Sequence, residues 1–116
     1  MMKVWAVLLL VVASASSATA GDLPYAPPAP LNEKQWVRSR DTTTPAFRNV
    51  QHGSVEMVFQ VSAEGRVTEC TTRTSSGDSA LDNAICNLVI ERARFRPGGD
   101  QDGNAVPGPH RQTIVW

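Results

Sequence analysis

The chain has 116 residues, with eleven Lys and Arg balanced by eleven Asp and Glu and a formal net charge of zero. That balance gives no electrostatic basis for binding nucleic acid or an anionic membrane surface. The length allows one small domain and excludes two independent cores.

The first twenty residues read as a cleaved export signal. Lys3 supplies a short positive start, Val4 to Ala13 an apolar core, and Ala18-Thr19-Ala20 a small-residue cleavage site. The rival reading is an uncleaved anchor. A membrane span needs about 20 mostly apolar residues, and Ser14, Ser16, Ser17 and Thr19 dilute this stretch. The expectation is a mature chain starting at Gly21, without a stable membrane anchor and with a formal charge of minus one once Lys3 is removed.

Residues 21–35 form a lead-in punctuated by Pro24, Pro27, Pro28 and Pro30, which reads as extended and solvated. The domain spans residues 36–116. Trp36 and Trp116 read as core aromatics rather than exposed recognition residues. Thr42-Thr43-Thr44 disfavours helix before Pro45, and a short helix from Pro45 to about Val50 offers Ala46, Phe47 and Val50 as its apolar side.

After Gly53, Val55, Met57, Phe59 and Val61 alternate with polar residues and predict a half-buried strand. Ala63-Glu64-Gly65 predicts a tight turn into an antiparallel strand from about Arg66 to Thr74. Val67 and Cys70 lie an odd number of residues apart, so either a bulge intervenes or only one of them reaches the core. Ser75-Ser76-Gly77 breaks that strand. Ser79 and Asp82 fit a helix start of the S-x-x-D form, with Asp78 as a competing cap. Leu81, Ile85, Leu88 and Val89 then recur at helical spacing, with Arg92 next in the series. Phe95 reads as a core anchor, Pro97-Gly98-Gly99 as a stop, Asp100 to Pro109 as a polar loop, and His110 to Trp116 as a final strand. The implied fold is α+β: a three-stranded antiparallel sheet of order 2-1-3, packed by a main helix and a short N-terminal helix. The final strand is then a sheet edge, which offers unpaired backbone groups to another chain.

Cys70 and Cys86 allow one intramolecular pairing, and export to an oxidising compartment makes a disulfide the default. Cys86 sits at the edge of the helix's apolar stripe, where it can reach the second strand. A redox pair would more commonly use C-x-x-C spacing.

Nothing in the sequence points to an enzyme, a metal site or a cofactor. His52 and His110 belong to no metal-spacing pattern and read as surface residues. Asp100-Gln101-Asp102-Gly103-Asn104 lacks the distal glutamate of a calcium loop and reads as a solvated turn. Ser75-Ser76-Gly77 has no lysine or paired base and reads as a strand-to-helix junction. Arg92, Arg94 and Arg96 read as solvated or as intramolecular ion-pair partners.

From Gly53 to Trp116 the chain resembles the C-terminal domain of the TonB family. The matching pieces are Gly53-Ser54-Val55 leading to Phe59-Gln60-Val61, Glu64-Gly65-Arg66-Val67, Ser75-Ser76-Gly77, Leu81-Asp82, Arg94-Phe95-Arg96-Pro97, Asp102-Gly103 and the strand ending at Trp116. Cys70 and Cys86 match a disulfide-bearing subgroup, while Thr44-Pro45 stands where the family commonly has Tyr-Pro. The resemblance implies a periplasmic domain linked to outer-membrane transport. It also implies strand addition, with a short peptide of a protein partner such as an outer-membrane receptor pairing along Arg111, Gln112, Thr113, Ile114, Val115 and Trp116. The alternative is a structural envelope protein that pairs the same strand with its own copy as a homodimer. The lead-in, fifteen residues long, reaches about 50 Å when fully extended.

Overall fold

The structure is a computed structural model and describes residues 25–48 and 50–116. The export signal and the first four residues of the lead-in lie outside the described residues. Among the described residues, no helix is long and apolar enough to cross a membrane.

The centre of the fold is a three-stranded antiparallel sheet built from β2 (Ser54–Val61), β3 (Val67–Thr74) and β7 (Gly108–Val115), in spatial order β3-β2-β7. The alternation read from the sequence decides which face is buried. Val55, Met57, Phe59 and Val61 are buried, and the helix α1 (Ser79–Arg92) covers that face with Leu81, Ile85 and Val89. Burying an apolar side chain of this size stabilises by about 1.5–3 kcal/mol, so this layer carries most of the favourable energy.

The odd spacing of Val67 and Cys70 is resolved by a bulge. Gln60 pairs with Glu69 and Val61 with Val67, leaving Thr68 as an extra residue, so Val67 and Cys70 both meet the core-facing row of β2. A second shift, between Glu56–Thr74 and Met57–Thr72, makes Arg73 the extra residue. Cys70 faces Phe59 across the ladder and forms the disulfide with Cys86, with the two Cα atoms 5.8 Å apart. Met57 Sδ fills the space beside the bond, 3.5 Å from Cys70 Sγ and 3.9 Å from Cys86 Sγ.

The β2–β3 turn closes on Gly65, whose φ of +82° lies in the left-handed region. Its carbonyl accepts the Phe95 N–H at 2.9 Å, and a Cβ there would lie 2.2 Å from the Phe95 carbonyl oxygen. Only glycine satisfies both constraints.

Several expectations change. The helix begins at Asp78, whose carboxylate accepts the Ala80 and Leu81 N–H groups at 2.9 and 3.2 Å. Asp82 is therefore no capping-box acid. It turns back and accepts both hydroxyls and one N–H from Ser75 and Ser76, fixing the strand-to-helix junction. The helix predicted over Pro45 to Val50 is a single 3-10 turn, Pro45–Phe47, which follows another over Ser39–Thr43. The stop at Gly98–Gly99 is itself a short strand, β5, paired with β6 (Ala105–Val106) inside the expected loop from Asp100 to Pro109, and the final strand starts earlier, at Gly108.

The lead-in differs most from expectation. Most of its side chains from Tyr25 to Gln35 are exposed, with Pro28 buried, but its backbone is paired: Ala26 exchanges both backbone bonds with Gly99, and β1 (Ala29–Pro30) pairs with β4 (Phe95–Arg96). Tyr25 lies against Gly98 and Gly108, close enough that a Cβ on Gly108 would overlap its hydroxyl. Asn32 closes the strap by donating to the Arg92 carbonyl and accepting from Arg94 N–H and Trp36 Nε1–H. Polyproline-like chain has free backbone groups, and a sheet edge can use them even where burial is slight.

Two carboxylates make the fold acid-sensitive. The Arg92 guanidinium holds Asp41 below its ordinary value of 3.8, with the Arg38 N–H assisting against burial. Burial is the largest influence on Asp82 and pushes its pKa up, but the Ser75 and Ser76 donors together outweigh it and leave the net shift downward. A carboxylate with a depressed folded pKa contributes stability that is complete above its unfolded pKa and is lost as pH falls through the folded value. Thermal midpoints measured against pH should therefore be steady above about pH 5 and drop below about pH 4. Asp82→Ala should cost about 1.5–3 kcal/mol near neutrality and flatten part of that acid slope.

Candidate functional site

β7 is the regular edge of the sheet. It pairs with β2 through eight consecutive residue pairs without a register shift, whereas β3 carries two bulges and the charged residues Glu69 and Arg73. Bulges and charges blunt an edge against further pairing, so the two sides of this sheet are unequal templates.

The hydrogen-bond phase of β7 follows from its end. Gly53 and Trp116 exchange both backbone bonds, at 3.1 and 3.0 Å. In an antiparallel ladder such pairs recur at every second residue, so Ile114, Gln112 and His110 direct their backbone groups to β2, while Val115, Thr113 and Arg111 direct theirs outward. Among the described residues, none of those three outward positions has a backbone partner. The six residues from Arg111 to Trp116 thus divide into two sets. Arg111, Thr113 and Val115 present main-chain donors and acceptors; Gln112, Ile114 and Trp116 present side chains on the core side.

Beside this edge runs a second wall. The 3-10 turn Glu33–Gln35 and the residues after it lie alongside β7, and a groove of about 400 Å³ is lined by Glu33, Lys34, Trp36 and Val37 on one side and residues 112–115 on the other. A second depression of about 270 Å³ continues past Val37 to Arg38, Thr42, His52 and Trp116.

Trp36 anchors the wall, being 1% exposed and packed against Phe59 and Phe95 with ring centroids 5.7 and 5.6 Å away. Arg92, from the last turn of α1, donates to Asp41 Oδ2 at 2.7 Å, to Asp41 Oδ1 at 3.1 Å and to the Trp36 carbonyl at 3.0 Å. Asp41 in turn accepts the Arg38 N–H at 2.6 Å. This fork ties the wall to the helix. Gln112 Nε2 donates to Glu33 Oε2 at 3.1 Å and bridges wall and strand at one end. At the other end Trp116 packs edge-on against Phe47 at 5.7 Å and donates Nε1–H to the Val50 carbonyl at 3.0 Å.

The remaining sequence candidates lie apart from one another. His52 lines the second depression, while His110 stacks on Phe59 and contacts Gln112 Oε1 at 2.7 Å. Asp100 accepts the N–H groups of Asp102 and Asn104 and closes its own turn. Among the described residues, no three His, Cys, Asp or Glu side chains converge as a metal site. Sequence reasoning missed Glu33, Lys34, Val37, Arg38 and Asp41. Their wall is held in place largely by residues far along the chain, Phe59, Arg92, Phe95 and Gln112, which no local pattern reports.

The family model for the Gram-negative bacterial TonB protein C-terminal matches residues 44–116. Among solved structures, the C-terminal domain of Pseudomonas aeruginosa TonB, determined by solution NMR, superposes with a TM-score of 0.52 at 19% identity, covering 77% of this chain and 84% of that chain. At that identity the likeness is one of fold. No curated protein sequence matches at comparable significance.

Proposed function

The chain belongs to the TonB C-terminal family, and from that membership we propose a periplasmic binding domain that captures an extended peptide of a protein partner by strand addition along the outer edge of β7, in the service of outer-membrane transport. The observation that carries this reading is the outward phase of Arg111, Thr113 and Val115 on a ladder without bulges. A three-residue outward set accepts a strand of about five to seven residues, since backbone groups on one side recur every second residue.

The competing occupant is a second copy of β7. That strand carries Arg111 and no Asp or Glu, so self-pairing supplies no carboxylate to the Lys34 and Arg38 side of the groove. A foreign peptide is the better fit.

Thr113→Pro tests the reading. The Thr113 N–H points away from β2, so proline removes an outward donor without breaking a ladder bond. The probe is a tiled set of heptapeptides covering the periplasm-facing segments of the host's outer-membrane receptors. The wild-type domain should bind members of the set, and Thr113→Pro should weaken them at least tenfold while the domain stays folded by amide NMR. Equal binding by folded Thr113→Pro would sink strand addition at β7. Sedimentation over a concentration series separates the alternative, which requires dimers that the same substitution dissolves.

A further inference from the structure

We infer that residues 25–32 form a latch that opens without the rest of the domain and, when docked, sets the wall beside β7. The control this gives over peptide binding rests on the reading of β7 as the strand-adding edge; the latch itself stands apart from that reading.

The latch lies ahead of residues 44–116, the part of the chain that carries the family match. Its docking chemistry is sparse. Ala26 exchanges two backbone bonds with Gly99, β1 pairs with β4 over two residues, and the Leu31 N–H reaches the Arg94 carbonyl at 2.9 Å. Pro28 is its one buried residue. Segments with few buried apolar contacts open well below the free energy of global unfolding. Pro27, Pro28 and Pro30 keep the undocked chain extended, so each closure orders little and is readily repeated.

Two glycines make the seat for its first residue. Gly108 belongs to the core-side row of β7, opposite Val61, where a larger residue would fill the space with its own side chain. The three atoms nearest to a Cβ placed there all belong to Tyr25, the hydroxyl oxygen first. A Cβ on Gly98 would lie 2.8 Å from the same hydroxyl. Tyr25 is the plug of this seat.

Asn32 ends the latch and begins the wall. Its side chain binds the Arg92 carbonyl, the Arg94 N–H and the Trp36 Nε1–H, and its carbonyl accepts the Gln35 N–H at 2.8 Å. Trp36 is 1% exposed, so without Asn32 its indole N–H is a buried donor lacking an acceptor. Undocking of residues 25–31 removes the restraint on one side of Asn32. The latch is thus a two-state element that biases the wall. A peptide packed between wall and β7 favours the docked latch, and by linkage the docked latch favours the peptide.

Amide exchange on the mature protein tests the latch without a ligand. Protection at Ala26 and Leu31 should be lost together, about a hundredfold more readily than at Met57 and Val89 in the core. Gly108→Ala evicts Tyr25 and should abolish the Ala26 protection and speed exchange at Gln35 and the Trp36 indole severalfold, with Met57 and Val89 unchanged. In a Tyr25→Ala background the same change should add nothing, because the atoms it displaces are gone. The receptor heptapeptide bound most tightly by the wild type should bind Gly108→Ala about fivefold more weakly and, at saturation, slow Ala26 exchange by a like factor. Latch amides that exchange only with the core, or a freed latch that leaves Gln35 and the Trp36 indole unchanged, overturn the inference and leave strand addition standing. Equal affinity of wild type and Gly108→Ala overturns the control over binding. If no heptapeptide binds the wild type, strand addition fails, and the exchange data alone decide the latch.

Discussion

Reducing the Cys70–Cys86 bond, or replacing both residues with Ser, should lower the stability of the folded domain by about 3 kcal/mol. The bond joins the middle of β3 to the middle of α1 across a sequence separation of 16. Closing a loop of that length removes conformations chiefly from the unfolded chain. The sulfurs also pack on Met57 at the centre of the sheet, so the Ser variant adds polar atoms to an apolar contact. In a domain of this size each kcal/mol moves the thermal midpoint by about 4–8 °C, which places the loss at roughly 12–24 °C. Scanning calorimetry with and without reductant reads it directly, and a shift under about 5 °C would show that sheet and helix hold together without the bond.

Arg92→Ala should be comparably damaging. Arg92 and Asp41 side chains are 16% and 11% exposed, and the guanidinium also satisfies the Trp36 carbonyl. Removing one partner of a buried pair leaves the other charged and desolvated, at a cost of about 3–5 kcal/mol. Arg92→Met with Asp41→Asn removes both charges and should recover part of the loss, because the coupled term is then absent from both sides of the comparison. The consequence reaches the groove. Arg92 holds the turn containing Asp41 and the backbone of Trp36, so the wall opposite β7 loses its side-chain tie to α1 and keeps only the Asn32 bond to the Arg92 carbonyl. Peptide affinity should fall with stability in Arg92→Ala, and urea melts paired with peptide titrations measure both. An unchanged melt would mean that solvent already screens the pair.

The elements that the sequence revealed are those whose signal is local. Val55, Met57, Phe59 and Val61 announce a strand by alternation, and Leu81, Ile85 and Val89 announce a helix by spacing; both are buried as that periodicity requires. The parity conflict between Val67 and Cys70 was legible as a conflict, and the bulge at Thr68 is its resolution. Other features depend on distant partners. Pro27, Pro28 and Pro30 read as a free lead-in because proline weakens ordinary strand signals, yet the flanking Ala26 and Leu31 still supply N–H groups to Gly99 and Arg94. Asp41 sits in a charged, Thr-rich stretch with no periodicity, and its role exists only because Arg92, 51 positions later, ends α1 beside it. The six candidate edge residues were legible as a strand. Their division into three outward backbones and three groove-facing side chains required the register at Gly53 and Trp116.

Amide hydrogen exchange on the mature protein, with and without a bound receptor heptapeptide, tests the central claim most directly. The strand-addition account predicts that the amides of Arg111, Thr113 and Val115 become protected on binding, while Gln112 and Ile114, already bonded to β2, change little. Protection confined to β3, or spread without alternation along β7, would contradict it.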